Sequence, residues 1–116
     1  MGKNKKKADP VLDGRILDQL YAVVDSRRDA DPEESYTARL MQRGMPQVAK
    51  KVGEEAVEAL IEGLMERKGK LAAESADLLY HLTVLWAMAD LTPEEVWEAL
   101  AERQGKSGLD LEAAKD

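Results

Sequence analysis

Glu55 and Glu58 stand three residues apart, and so do Glu74 and Asp77. At 3.6 residues per turn, acids at that spacing share a helix face, about 60° apart around the axis and about 4.5 Å along it. The two pairs also mirror each other. Glu58 and Glu74 are each eight residues from position 66, and Glu55 and Asp77 are each eleven. Two helices folded back about that point would bring four carboxylates together in two layers. Like charges so placed repel strongly without a cation. An oxygen-only ligand set suits a hard divalent ion, and Mg²⁺, which binds through a few carboxylates plus waters and substrate phosphates, fits best.

The setting of the second pair sharpens this reading. Between positions 71 and 89 the only ionisable side chains besides Tyr80 are Glu74, Asp77 and His81, at i, i+3 and i+7 in one stripe. The rest of that segment is apolar nearly all round, so the helix is expected to be buried on most sides. A carboxylate there is costly unless paired or bound to metal. Other arrangements stay open. Lys50 or Lys51 could neutralise Glu74 and Asp77 as ion pairs. Glu54, Glu55, Glu58 and Glu62, taken alone, read as solvated charge. A ferritin-like di-iron site wants Glu-x-x-His on two helices. Here the second helix offers Glu-x-x-Asp, and the only histidine lies four residues beyond Asp77.

The elements that must hold these acids are helices. Residues 1–9, with Lys3, Lys5, Lys6 and Lys7, read as a flexible basic tail, and residues 10–116 as a single helical domain. Pro10 is expected to open a first helix over about 11–27, with Ile16, Leu17, Leu20, Val23 and Val24 at helical spacing. Asp31-Pro32 signals a turn. A short helix over 36–43 ends at Gly44, and Pro46 fits the first turn of the next, about 47–67. Gly69 marks a short connection, followed by the apolar helix over 70–89. Thr92, Pro93 and Glu95 form a capping-box start for a last helix ending near Gly105. The fold class expected is therefore all-α, a small bundle around a central antiparallel helix hairpin. So apolar a helix in so small a domain suggests that a second copy of the chain completes the bundle as a homodimer. Met41, Met45, Met65, Met88, Trp86 and Trp97 are expected to fill core or subunit contacts.

Composition limits the partners. The 116 residues carry a net charge of −6, and without residues 1–9 there remain 13 basic and 22 acidic residues, a charge of −9. So acidic a body is a poor binder of nucleic-acid backbones, and a phosphate ligand would need a mediating cation. Cysteine is absent, which excludes thiolate metal sites and disulfides. No apolar stretch is long enough for a membrane span and none follows the lysines as a signal peptide would, so a cytoplasmic protein is expected.

Glu-Glu-x-x-Glu at 54–58, fifteen intervening residues and Glu-x-x-Asp at 74–77 resemble the signature of the all-α nucleoside triphosphate pyrophosphohydrolases, the MazG-like superfamily. Four blocks narrow the resemblance: Ser35-Tyr36-Thr37-Ala38-Arg39-Leu40, Lys50-Lys51-Val52-Gly53-Glu54-Glu55-Ala56, Ala76-Asp77-Leu78-Leu79-Tyr80-His81-Leu82 and Ser107-Gly108-Leu109. In that order they resemble the phosphoribosyl-ATP pyrophosphatase family of histidine biosynthesis, over about 11–115.

The resemblance implies Mg²⁺-dependent hydrolysis of phosphoribosyl-ATP to phosphoribosyl-AMP and pyrophosphate. Glu55, Glu58, Glu74 and Asp77 would hold the ion, which would bridge phosphate oxygens and neutralise their charge. Glu54, beside the metal set, would join Glu55 and Glu58 in the catalytic group as an outer carboxylate that orients the water or a second metal. Lys51, one turn before Glu55 on the same face, is the first candidate for phosphate contact, and Lys50 the second. Arg39 could clamp a phosphate bidentately. Tyr36 and Thr37 would touch substrate or cap their helix. His81 reads as core or as support for the ligands ahead of direct ligation. Lys106 and Ser107 would close over substrate or simply end the last helix. Other nucleoside triphosphates as substrates, or a non-enzymatic helical dimer, are the competing readings.

Overall fold

In the computed structural model, residues 9–104 and 106 are described, and all of their regular structure is helical. The centre is a hairpin of two long helices, α3 (Met45–Leu64) and α4 (Lys68–Met88). Before it come α1 (Arg15–Ser26) and α2 (Tyr36–Arg43), and after it α5 (Pro93–Arg103). The all-α expectation and the central hairpin hold. The basic tail expected at 1–9 lies outside the described residues except for Asp9, which is exposed.

Two boundaries differ from the sequence expectation. Pro10 does not open α1. Asp13 does so instead: its carboxylate accepts the Arg15 N–H at 3.0 Å and its carbonyl accepts from Ile16 at 3.0 Å. A short acid placed there satisfies donors that a helix end leaves unpaired. The hairpin connection lies at 65–67 rather than at Gly69, which sits in the first turn of α4. Helix α3 closes with a Schellman pattern. Glu66 N–H donates to Gly63 O at 3.1 Å and Arg67 N–H to Glu62 O at 3.0 Å, with Glu66 at φ 56°. Glycine usually occupies that left-handed position. Here a glutamate does, and an Arg67–Glu62 ion pair of 3.0 Å across the same turn fastens it. A search for the turn by glycine therefore lands three residues late.

The hairpin midpoint is thus Glu66, the position about which the acids are symmetric. The core obeys the same register. Val48 and Val84, each eighteen residues from Glu66, are both fully buried. They pack with Val24, Leu40 and Ala87, and Leu20, Tyr21, Met41, Tyr80, Leu85 and Met88 surround them. Helices α1 and α2 cover this open end of the hairpin only. Ser35 Oγ caps α2 by accepting from Ala38 N–H at 3.1 Å, and Gly44, at φ 98°, turns the chain into α3. The expected capping box opens α5, with Thr92 N–H donating to Glu95 Oε2 at 2.9 Å. Trp86 and Trp97 meet edge to face at 6.1 Å.

Among the described residues, nothing outside the hairpin covers its tip half. Val57, Leu60, Ile61, Leu64 and Met65 are exposed, as are Ala72, Ala76 and Leu79. The expectation that α4 is buried on most sides is therefore met at its C-terminal half alone, at His81, Thr83, Val84 and Ala87. The reason is length: α1 has 12 residues and α2 has 8, against 20 and 21 in the hairpin.

Candidate functional site

Where the buried end of the hairpin meets the open tip, the acids come together. Glu55 and Glu74 are half-buried, while Glu54, Glu58 and Asp77 are exposed. Glu58 reaches hydrogen-bonding range of Glu74 across the hairpin, and this contact holds the Glu74 carboxyl above its ordinary value of 4.5. Desolvation and the charges of Glu58, Asp77 and Glu55 push it in the same direction. Two carboxyls can share a hydrogen bond only if one is protonated, so the pair favours the neutral form of Glu74. The other three acids named from the sequence therefore all act on Glu74.

The arrangement is convergent but not closed. Among the described residues no three His, Cys, Asp or Glu side chains already surround one point as a finished metal cage. The chemistry of the set nonetheless fits a hard divalent cation. Its donors are carboxylate oxygens. One of them, Glu55 Oε1, is buried without a hydrogen-bond partner, a costly state for a charged group. Among the described residues no Lys or Arg forms an ion pair with Glu54, Glu55, Glu58, Glu74 or Asp77. The alternative of buried pairs with Lys50 or Lys51 is not what the chain adopts.

His81 is the neighbour of Glu55. It is 6% exposed, and its Nδ1 lies 2.5 Å from Glu55 Oε1. That contact is close without being an aligned hydrogen bond, because Nδ1 is directed to the Asp77 carbonyl at 3.1 Å. Both groups facing Nδ1 are acceptors, so Nδ1 carries the proton. Nε2 is then free to accept from the Tyr36 hydroxyl, 3.1 Å away. Beside this line, Thr37 Oγ1 and the Tyr80 hydroxyl are hydrogen-bonded. Tyr80 also stacks on Tyr36 with centroids 6.2 Å apart, and meets the His81 ring edge-on at 4.9 Å. Burial raises the Tyr80 pKa, against the Thr37 hydrogen bond. These contacts fasten α2 to α4 next to the acids.

The remaining candidates fall around the rim. Lys51 is half-buried and Lys50 exposed. Arg39 is exposed, with its Nε donating to Pro32 O at 3.1 Å, which ties the guanidinium to the loop before α2. Ser35, not Tyr36 or Thr37, caps α2. Lys106 is exposed, and its backbone N–H donates to Arg103 O at 3.2 Å. Ser107 lies outside the described residues. The sequence reading of His81, on the acid stripe one helical turn beyond Asp77, as core or support for the ligands names neither Tyr36 nor Glu55 as its partner.

Comparison with known proteins agrees with the geometry. Residues 17–104 match the profile of a family described as phosphoribosyl-ATP pyrophosphohydrolase. The chain is 56% identical over 102 residues to a phosphoribosyl-ATP pyrophosphatase of Azospirillum brasilense, covering 88% of this chain and 92% of that one. A protein of the same name from Paramagnetospirillum magneticum is 52% identical over 98 residues, 84% of this chain and 90% of its own. One from Rhodospirillum rubrum is 51% identical over 100 residues, 86% of each chain.

Proposed function

The chain belongs to the phosphoribosyl-ATP pyrophosphohydrolase family, and on that premise we propose that it hydrolyses phosphoribosyl-ATP to phosphoribosyl-AMP and pyrophosphate in histidine biosynthesis, at the acids of the α3–α4 hairpin. The observation that carries this reading is the convergence of Glu55, Glu58 and Asp77 on Glu74 with no Lys or Arg partner among the described residues. An acidic site can accept a polyphosphate only through a cation.

Glu55, Glu58, Glu74 and Asp77 are the residues that would hold Mg²⁺. When bound, the ion supplies charge neutralisation and polarisation at the phosphate oxygens. The protein's part is to place oxygen donors on two rigid helices at matched height, so that little reorganises when substrate arrives. Glu54, exposed beside Glu55 on α3, would orient a water for attack. Lys51 and Lys50, before the acids on α3, and Arg39 on α2 are the cations available for distal phosphates. Tyr36, Thr37, Lys106 and Ser107 complete the proposed substrate rim.

The proposal includes a homodimer. Leu60, Ile61 and Leu64 on α3 and Leu79 on α4 are apolar side chains at 39–75% exposure. Exposed apolar patches mark interaction sites in proteins of this size. A second copy presenting the same residues would cover them. No helix among the described residues is long and apolar enough to cross a membrane, and we place the enzyme in the cytoplasm.

The test is pyrophosphate release from phosphoribosyl-ATP with Mg²⁺ and with EDTA. The expected outcome is release with the ion and none with the chelator. Release that EDTA leaves intact would overturn the cation's role. Absence of release, with turnover of another nucleoside triphosphate, would overturn the substrate.

A further inference from the structure

We propose that His81 is a positioning residue for Glu55, held in place by Tyr36, and that this Tyr36–His81–Glu55 line sets the affinity of the site for its divalent ion. The inference rests on the reading of Glu55 as an ion ligand and goes beyond it by assigning roles to two residues outside the acid set.

Three observations carry it. His81 is buried, so its ring has little freedom. Both of its nitrogens are engaged, Nδ1 by the Asp77 carbonyl at 3.1 Å and Nε2 by the Tyr36 hydroxyl at 3.1 Å. Its Nδ1 is the polar atom found against the otherwise unpartnered Glu55 Oε1, at 2.5 Å. Together these restrain the Glu55 carboxylate against the buried imidazole, beside the other proposed ion ligands. A carboxylate restrained in this way loses less freedom on binding than one that swings freely. The Asp77 carbonyl is part of the same arrangement, so the imidazole joins the backbone of one proposed ligand to the side chain of another. Tyr36 is 43% exposed and comes from a different helix. Its hydroxyl supplies the hydrogen that Nε2 accepts, which keeps the proton on Nδ1, where both acceptors need it.

The experiment measures ion binding directly on the full chain without substrate. Mg²⁺ is titrated calorimetrically, and Mn²⁺ is followed by the loss of its free-ion EPR signal. His81→Gln places its amide near the Nε2 position and loses the Nδ1 donor, while His81→Asn keeps a donor near Nδ1. His81→Gln is expected to weaken ion binding by about 10- to 100-fold, the usual consequence of losing a group that orients a ligand. His81→Asn is expected to recover most of that loss. Tyr36→Phe, which keeps the ring on Tyr80 and removes only the hydroxyl, is expected to weaken binding several-fold with unchanged helical circular dichroism. That variant carries the test should the buried substitutions unfold the chain. A purely structural role would shift the melting temperature and leave the ion affinity of the folded protein alone. Unchanged affinity in Tyr36→Phe and in folded His81→Gln would overturn the inference and leave the ion site standing. Failure of the unaltered chain to bind either ion would overturn both together.

Discussion

Glu58 and Glu74 approach within hydrogen-bonding range of each other across the α3–α4 hairpin, although each is an acid and no basic side chain joins them among the described residues. The contact is the register of the hairpin expressed as chemistry. It holds Glu74 toward its neutral form and marks the place where a cation would do most.

A pH dependence follows with a definite sign. The Glu74 carboxyl is raised above 4.5 in the folded chain, so the folded state holds that proton more tightly than the unfolded state does. Its contribution to stability is fully present below 4.5 and is lost as the pH rises through the raised value. Ion-free protein should therefore lose melting temperature upward from pH 4.5 more steeply than Glu74→Gln, and Mg²⁺ should restore the loss at neutral pH. Thermal melts of both proteins across that range, with and without Mg²⁺, read the difference. Parallel curves would contradict the pairing.

The acids should separate from their neighbours in kinetics. Glu55→Gln, Glu58→Gln, Glu74→Gln and Asp77→Asn each remove an oxygen charge from the proposed ion site, where charge stabilisation is worth several kcal/mol. Each should lower kcat by about a hundredfold or more, with the helical spectrum retained. Glu54→Gln should lower kcat by a smaller factor. Activity surviving all four changes would show the site to be elsewhere.

The exposed face of the hairpin should govern assembly. Leu60 and Leu64 are 59% and 75% exposed. Replacing both by Glu should turn a dimer into a monomer in size-exclusion chromatography with light scattering at micromolar concentration. A monomer in the unaltered chain would remove the dimer from the proposal.

The hairpin turn offers a stability test that leaves the site untouched. Glu66 occupies the left-handed region at φ 56°, which costs a residue with a Cβ about 1–2 kcal/mol. Glu66→Gly relieves that strain and gives back part of it through the greater freedom of the unfolded chain. A net gain of about 0.5–1 kcal/mol in urea unfolding is expected. A loss would mean that Glu66 makes a stabilising contact in the turn.

Much of this protein was legible in the order of its residues. Apolar spacing, Gly44, Pro46 and the Thr92–Glu95 box announced the helices, because such signals act within one turn. The symmetry of Glu55, Glu58, Glu74 and Asp77 about position 66 announced the hairpin register, because a short connection leaves antiparallel helices one way to align. Tertiary structure decided the rest. It put the turn on Glu66 rather than on Gly69, since the Schellman bonds and the Arg67–Glu62 pair outweigh the preference for glycine. Among the described residues it left the tip of α4 uncovered, since α1 and α2 are too short to reach it. It also set His81 between Tyr36 and Glu55, from three different helices. Local periodicity tells which face a side chain occupies. Which partner it meets there depends on how helices distant in sequence pack, and only the folded chain brings those helices together.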